Sequence, residues 1–140
     1  MAKVVAVQAC GVVVNRQTAE NQVMGGVVQG IGWMTMEELA YEGGRITSDS
    51  LSTYKVPDIH SAPEIESIFL DDAGEQAAVL SSKAIGEPPF MYGIGAYFAL
   101  LDAMRAFRPD KRAFFDAPMT PENTQAITYS VLNEEQQKRF

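Results

Sequence analysis

The chain has 140 residues, of which 46% are hydrophobic and 21% are charged. This length predicts one domain, and this composition excludes a disordered tail, a fibrous repeat and a disulfide scaffold. The formal net charge is −7, so no nucleic-acid partner is expected, because an acidic surface repels phosphate backbones. The one cysteine and one histidine are too few for a tetrahedral zinc site, and the absence of a cysteine pair fits a reducing cytoplasm. We expect no signal peptide and no membrane span, since no apolar run approaches about 18 residues.

The first part of the chain predicts a strand followed by a long helix. The Val-rich run at 3–9 predicts a buried strand. Thr18 is the expected N-cap of a helix that continues to Ala40, with an apolar stripe at helical spacing. Four glycines interrupt this helix, and each costs about 1 kcal/mol relative to Ala. We therefore expect another backbone or a ligand to approach the helix closely.

The rest of the chain predicts short strands and further helices. In chain order these are a turn at 42–45, a short strand at 45–48, a strand at 65–70, a turn at 71–74, a short strand at 77–80, a loop at 81–89, an apolar helix at 92–107, and a surface helix from an N-cap at Thr120 to about Lys138. No repeat or linker divides these elements. The sequence predicts a single α+β domain over residues 1–140.

Most of the motif-like features have ordinary structural explanations. The glycine spacing at 25–30 lacks the Lys and Ser/Thr of a phosphate-binding loop, so nucleotide binding is not expected. We interpret His60 as a loop residue, Cys10 as a half-buried structural thiol, and Trp33 as a core residue rather than a cofactor contact.

Glu87 is the exception, because its backbone setting is unusual. Gly86 precedes it, two prolines follow it, and an apolar helix comes next. Pro88 should restrict Glu87 to extended backbone angles, and burial beside an apolar helix would favour the protonated carboxyl group. A stiffly held carboxylate of this kind suits a general base near neutral pH. The alternative is a helix N-terminal Glu favoured by the helix dipole, and the residues alone leave both possibilities open.

The same segment resembles a known family. Residues 82–89, Ser-Lys-Ala-Ile-Gly-Glu-Pro-Pro, resemble the C-terminal active-site signature of molybdenum hydroxylases of the xanthine dehydrogenase and aldehyde oxidase family. Other segments resemble the family in the same order: Gln22-Val23 with 26–32, then 37–39, 52–57, 99–106 and 117–122. The likeness covers about residues 4 to 125 and is closer to the xanthine dehydrogenase branch. The family's usual acid near the first strand end is Ala9 here, which is a departure.

The resemblance implies a fold, a reaction and a site. The chain would be the C-terminal portion of a molybdopterin-binding domain, in an enzyme that hydroxylates a purine, N-heterocycle or aldehyde carbon with oxygen from water. Glu87 matches the family's general base, and Gln29 matches a glutamine that contacts the pterin. Gly30 would let the cofactor lie close to the helix backbone, while backbone groups of Ala84 and Gly86 would face the metal centre.

The resemblance also implies missing parts, because family subunits are several times longer. The remainder of the molybdopterin subunit, the FAD module and the 2Fe-2S module would lie on other chains or domains, since one cysteine cannot hold a cluster. We therefore expect the chain to be inactive alone, and to bind its missing part or self-associate through exposed apolar surface. The alternative is a non-catalytic interaction or assembly module that has kept the fold, although retention of Glu87 argues against it.

Overall fold

The computed structural model describes residues 3–71, 78–109 and 116–129, without the side chain of Tyr129. Its strands are β1 (Lys3–Gln8), β2 (Tyr41–Glu42), β3 (Arg45–Ile46) and β4 (Glu64–Phe69). Its α-helices are α1 (Arg16–Thr35), α2 (Pro88–Gly93), α3 (Gly95–Phe107) and α4 (Pro121–Tyr129), and one 3-10 turn spans Val79–Ser81. The predicted α+β class is confirmed.

The parallel strands β1 and β4 form one side of the core. β1 pairs with β4 in a register that runs from Lys3 opposite Glu64 to Gln8 opposite Phe69. Parallel neighbours require a crossover, and α1 lies in the connection between them. The core on this side is built from one face of the strands, the apolar stripe of α1 and the start of α3: Ala6, Val23, Val27, Ile31 and Ala96. The predicted apolar stripe of α1 is therefore confirmed.

The limits of α1 differ from the prediction at both ends. Asn15 is the N-cap, and its side-chain oxygen accepts a hydrogen bond from the Thr18 backbone N–H at 3.0 Å. The prediction that Thr18 is the N-cap was wrong. Asn15 and Thr18 are both favourable N-cap residues and lie about one turn apart, so the sequence did not distinguish them. The helix ends at Thr35 rather than Ala40, since two consecutive amides after it, those of 36 and 37, both donate to the Gly32 carbonyl.

The glycines of α1 mark its crossing with α2. A Cβ atom on Gly26 would lie 2.8 Å from the Cβ of Pro89, and one on Gly30 would overlap the Phe90 carbonyl oxygen. On the other helix, a Cβ on Gly93 would lie 2.6 Å from the Gly30 Cα. The expected close approach is thus confirmed at these positions, and it is made by the backbone of α2.

Three predicted elements after α1 are different in the structure. The strand predicted at 77–80 is wrong, because Val79–Ser81 forms a 3-10 turn in which Leu80 and Ser81 have left-handed φ values of 55° and 53°. The helix predicted at 92–107 is two helices, α2 and α3, separated at Ile94. The strand predicted at 45–48 shortens to β3, which forms a hairpin with β2.

The C-terminal elements close a second apolar cluster. The buried side chains of this cluster come from α3 and the segment before α4: Tyr97, Leu101, Met104 and Met119. The Met119 amide donates to the Met34 carbonyl at 2.7 Å, which ties this segment to the end of α1. The Thr120 hydroxyl accepts from the Asn123 amide, so the predicted N-cap of α4 is confirmed. The predicted extension of this helix to Lys138 and most of the turn at 71–74 lie outside the described residues.

Candidate functional site

The segment with the Gly-Glu-Pro-Pro motif is anchored to the end of β1. The Val12 amide donates to the Ser81 carbonyl at 2.9 Å, and the Lys83 amide donates to the Cys10 carbonyl at 2.9 Å. Between them, Gly11 and Ser82 form an isolated antiparallel bridge. The loop after 81 therefore starts at the carboxyl end of β1, the edge at which open α/β sheets commonly bind ligands.

A cavity of about 380 Å³ lies at this edge, beside the first turns of α1. Such a volume falls within the range of about 300–1,000 Å³ typical of small-molecule sites. Its polar side chains come from α1, its N-cap and the loop: Asn15, Thr18, Gln22, Ser82 and Lys83. Its other walls are the valines at 12–14 and the residues Cys10, Ala19, Ile85 and Gly86.

Gln22 connects α1 to the motif loop. Its side-chain Nε2 donates to the Gly86 carbonyl at 3.2 Å, a contact between residues 64 positions apart in sequence. The Gln22 side chain is exposed and lines the cavity, so its amide can bind a second group there. Sequence reasoning did not select this residue, although Gln22-Val23 was part of the family resemblance.

Glu87 is exposed at the start of α2 and is not buried as expected. Its backbone has φ −90° and ψ −40°, so the predicted extended conformation was wrong. The physical reason is the first turn of α2, in which the Phe90 amide donates to the Glu87 carbonyl at 3.0 Å. Glu87 is the N-cap residue of α2 and its carboxylate makes no capping hydrogen bond, so its position agrees with the alternative of a Glu favoured by the helix dipole.

The other predicted site residues divide into two groups. Gly86 lines the cavity with open space in front of its Cα, and Ala84 is exposed in the same loop. Gln29 is exposed on α1 seven residues beyond Gln22, which is roughly 10 Å along a helix. Gly30 is buried against α2. The structure thus brings Gly86 to the cavity, and it does not bring Gln29 or Gly30 there.

The segment at 52–57 supports the other end of α1. The Tyr54 hydroxyl donates to a Glu37 carboxylate oxygen at 2.6 Å. This hydrogen bond, followed by burial, raises the pKa of Tyr54 above its usual value. A Cβ on Gly32 would collide with the Pro57 ring, so this segment packs directly on the helix. Nearby, Trp33 stacks on Phe90 with ring centroids 5.2 Å apart and stays partly exposed, rather than packing in the core.

A larger groove of about 980 Å³ separates the end of α1 from α3 and α4. It is lined by apolar and polar side chains in about equal number, and the apolar ones include Met36, Leu100, Met104, Phe107 and Met119. Within the described ranges, no group of three or more His, Cys, Asp or Glu side chains is arranged to hold a metal ion. Among the same residues, no helix is both long and apolar enough to cross a membrane.

Known proteins match this chain in sequence and in fold. Residues 1–63 match the family model described as "Molybdopterin cofactor-binding domain". Rat xanthine dehydrogenase/oxidase is 42% identical over a 109-residue alignment that covers 72% of this chain and 8% of the rat protein. Maize indole-3-acetaldehyde oxidase is 36% identical over a 124-residue alignment that covers 87% of this chain and 9% of that protein. The crystal structure of quinoline 2-oxidoreductase from Pseudomonas putida 86 superposes with a TM-score of 0.79 at 25% identity, covering 91% of this chain and 16% of that one.

The fold and the matches define a molybdopterin-binding region. More specifically, the chain belongs to the molybdenum hydroxylase family of xanthine dehydrogenase and aldehyde oxidase, of which it matches a fragment. It spans less than a tenth of the length of these two curated relatives.

The cavity fits a molybdopterin group in its chemistry. Thr18, Gln22 and Lys83 supply hydroxyl, amide and ammonium donors, which suit pterin edges and phosphate oxygens. The open space over Gly86 lets a flat group approach the loop backbone.

Proposed function

We propose that this chain is the C-terminal molybdopterin-binding part of a xanthine dehydrogenase-like hydroxylase. Its substrate would be a purine, another N-heterocycle or an aldehyde, and oxygen would come from water. This proposal rests on the Gln22–Gly86 hydrogen bond, which joins α1 to the motif loop at the cavity beside β1. This contact places the backbone that precedes Glu87 at the edge of the cavity.

Each residue of the site has a proposed task. The cofactor supplies the redox metal when it is bound. Thr18, Gln22 and Lys83 would bind its polar edges, and the backbone at Ala84 and Gly86 would lie against it. Glu87 would accept a proton as the general base, which requires an ionised carboxylate within about 2.6–3.2 Å of the donor.

The remaining cofactor contacts proposed from the resemblance are Gln29 and Gly30, further along α1. Gln29 is exposed and free to meet a group supplied from outside this chain. Because Gly30 packs on α2, a contact there would have to reach its backbone past α2. Both contacts depend on the remainder of the subunit.

The proposed enzyme needs partners. The remainder of the molybdopterin subunit would complete the cofactor shell and cover Glu87, and FAD and 2Fe-2S clusters on other chains or domains would carry electrons away in a cytoplasmic enzyme. The chain alone would be inactive. The second candidate is a non-catalytic assembly module, and the exposure of Glu87 is the observation that favours it.

Replacing Glu87 by Gln separates the two candidates. The chain is produced together with the rest of its subunit, and hydroxylation, molybdenum content and thermal unfolding are compared for Glu87→Gln and unmodified protein. Removing a general base typically lowers the rate by about 10²–10⁴-fold, so we expect a loss in this range with unchanged molybdenum content and Tm. The control is Glu42→Gln, an exposed glutamate in β2 that should leave all three values unchanged. Near-normal turnover in Glu87→Gln would refute the catalytic assignment.

A further inference from the structure

The β1–β4 ribbon is incomplete as a sheet. Among the described residues, β1 pairs only with β4, and the two strands are parallel. Purely parallel sheets almost always have both faces covered. Here α1 covers one face, through Ala6, Val23 and Val27.

The outer face of β1 is apolar and open. Val5 and Val7 alternate with the buried residues of this strand, and their side chains are 52% and 51% exposed. Together with the inward-facing residues they make β1 an almost continuous apolar run, which is typical of a strand inside a sheet rather than at its edge.

β4 has the composition of an edge strand. Its outer positions 64 and 66 are glutamates, and both form ion pairs with Lys3, at 3.3 and 2.7 Å. Charged side chains are a common protection against further strand pairing. The two strands therefore differ, and β1 is the one whose free edge is unprotected over Val5 and Val7.

The backbone polarity shows which groups of β1 remain available. The Leu70 amide donates to the Gln8 carbonyl, so the N–H and C=O groups of Gln8 point towards β4. Backbone groups of successive residues in a strand alternate between its two edges. The N–H and C=O groups of Val5 and Val7 therefore point to the free edge.

We infer that the free edge of β1 receives a β-strand from the remainder of the molybdopterin subunit, which pairs with the backbone of Val5 and Val7 and packs beside their side chains. The inference rests on the proposed function, because it takes the remainder of that subunit as the partner. The length of the relatives supports this occupant: the chain matches 16% of quinoline 2-oxidoreductase and 8% of rat xanthine dehydrogenase/oxidase, so most of each relative lies outside the match.

Hydrogen exchange at individual amides tests the inference without any substitution. The Val5 and Val7 amides should exchange rapidly in the chain alone and slow by about 100-fold or more when the chain is co-produced with the rest of its subunit. The Ser67 amide, which points to the other edge of the ribbon, should not slow comparably. Protection of Ser67 instead of Val5 and Val7 would overturn the assignment to β1. Protection of Val5 and Val7 in the chain alone, rising with its concentration, would identify a second copy as the occupant and also overturn it.

A pair of variants provides an independent measurement. Val7→Lys places a charge beside the added strand, so binding of the chain to the rest of the subunit should weaken at least about tenfold. The control Ile59→Lys makes the same change at a side chain that is 85% exposed in a loop, and it should bind normally. Circular dichroism establishes that both variants fold. Equal binding by a folded Val7→Lys would refute the inference.

The outcomes also separate this inference from the proposed function. An assembled protein that holds molybdenum and hydroxylates while Val5 and Val7 stay unprotected would refute only the docking assignment. An assembled protein that protects Val5 and Val7 but holds no molybdenum would refute only the proposed function. Failure of the two parts to bind at all would overturn the docking assignment.

Discussion

The crossing of α1 and α2 predicts opposite effects for two neighbouring glycines of one helix. At Gly30 an added Cβ would lie 2.9 Å from the Gly93 Cα and would overlap the Phe90 carbonyl oxygen. Both neighbours are backbone atoms that cannot rotate away, so overpacking should cost about 3 kcal/mol, the upper part of its usual range. Replacing a helical Gly by Ala returns about 1 kcal/mol. Gly30→Ala should therefore destabilise the fold by about 2 kcal/mol.

Gly25 is the matched control for this prediction. It is exposed in the same helix, and an added Cβ would meet nothing within 4 Å. Gly25→Ala should therefore stabilise the fold by up to about 1 kcal/mol. At roughly 3 °C per kcal/mol for a chain of this size, the Tm values of the two variants should differ by about 9 °C.

Thermal unfolding followed by far-ultraviolet circular dichroism measures this difference. The reasoning would be refuted if Gly30→Ala melted at or above the temperature of Gly25→Ala. Such a result would mean that α2 can move away from α1 without loss, and the tight contact would then not hold the loop that carries Glu87.

Two further predictions concern the ends of α1. Asn15→Ala removes the helix cap and should lower the free energy of unfolding, measured by chemical denaturation, by about 1 kcal/mol. Thr18 contributes only its backbone amide to the cap, so Thr18→Ala should change the free energy of unfolding by less than about 0.5 kcal/mol. Tyr54→Phe removes the hydrogen bond to Glu37 and should cost about 1 kcal/mol at neutral pH. Because the pKa of Tyr54 is raised above 10.0 in the folded chain, this contribution is complete below pH 10 and disappears as the pH rises through the raised value. The stability difference between unmodified protein and Tyr54→Phe should therefore shrink at alkaline pH, and a constant difference would contradict the assigned bond.

The sequence was sufficient to predict those elements that depend on local patterns. The apolar stripe of α1 and the Thr120-Pro121 start of α4 need only neighbouring residues, and the structure confirms both. The strand predicted at 77–80 failed because the left-handed backbone of Leu80 and Ser81 accompanies pairing with the end of β1, about 70 residues earlier. Apolar composition alone does not reveal such a long-range partner.

The site shows the same limit. Gln22 and Gln29 lie seven residues apart, so they occupy nearly the same side of a helix and no local pattern separates them. Only the contact with Gly86 shows that Gln22 reaches the motif loop. For Glu87, the two prolines begin α2, and the backbone angles followed from the helix and not from the proline restriction.

The exposure of Glu87 and the open face of β1 have a common physical explanation. The contacts that fix the motif loop are internal to this chain: the pairing with the end of β1, the Gln22 hydrogen bond and the glycine crossing behind α2. The contacts that would exclude water from Glu87 are absent from the described residues, and so are those that would cover Val5 and Val7. A general base gains most from a dry surrounding, because low dielectric strengthens its interaction with the proton donor. Under the proposed function, the chain would hold the base in position, and the partner proposed to complete the sheet would also provide the environment in which the base can act.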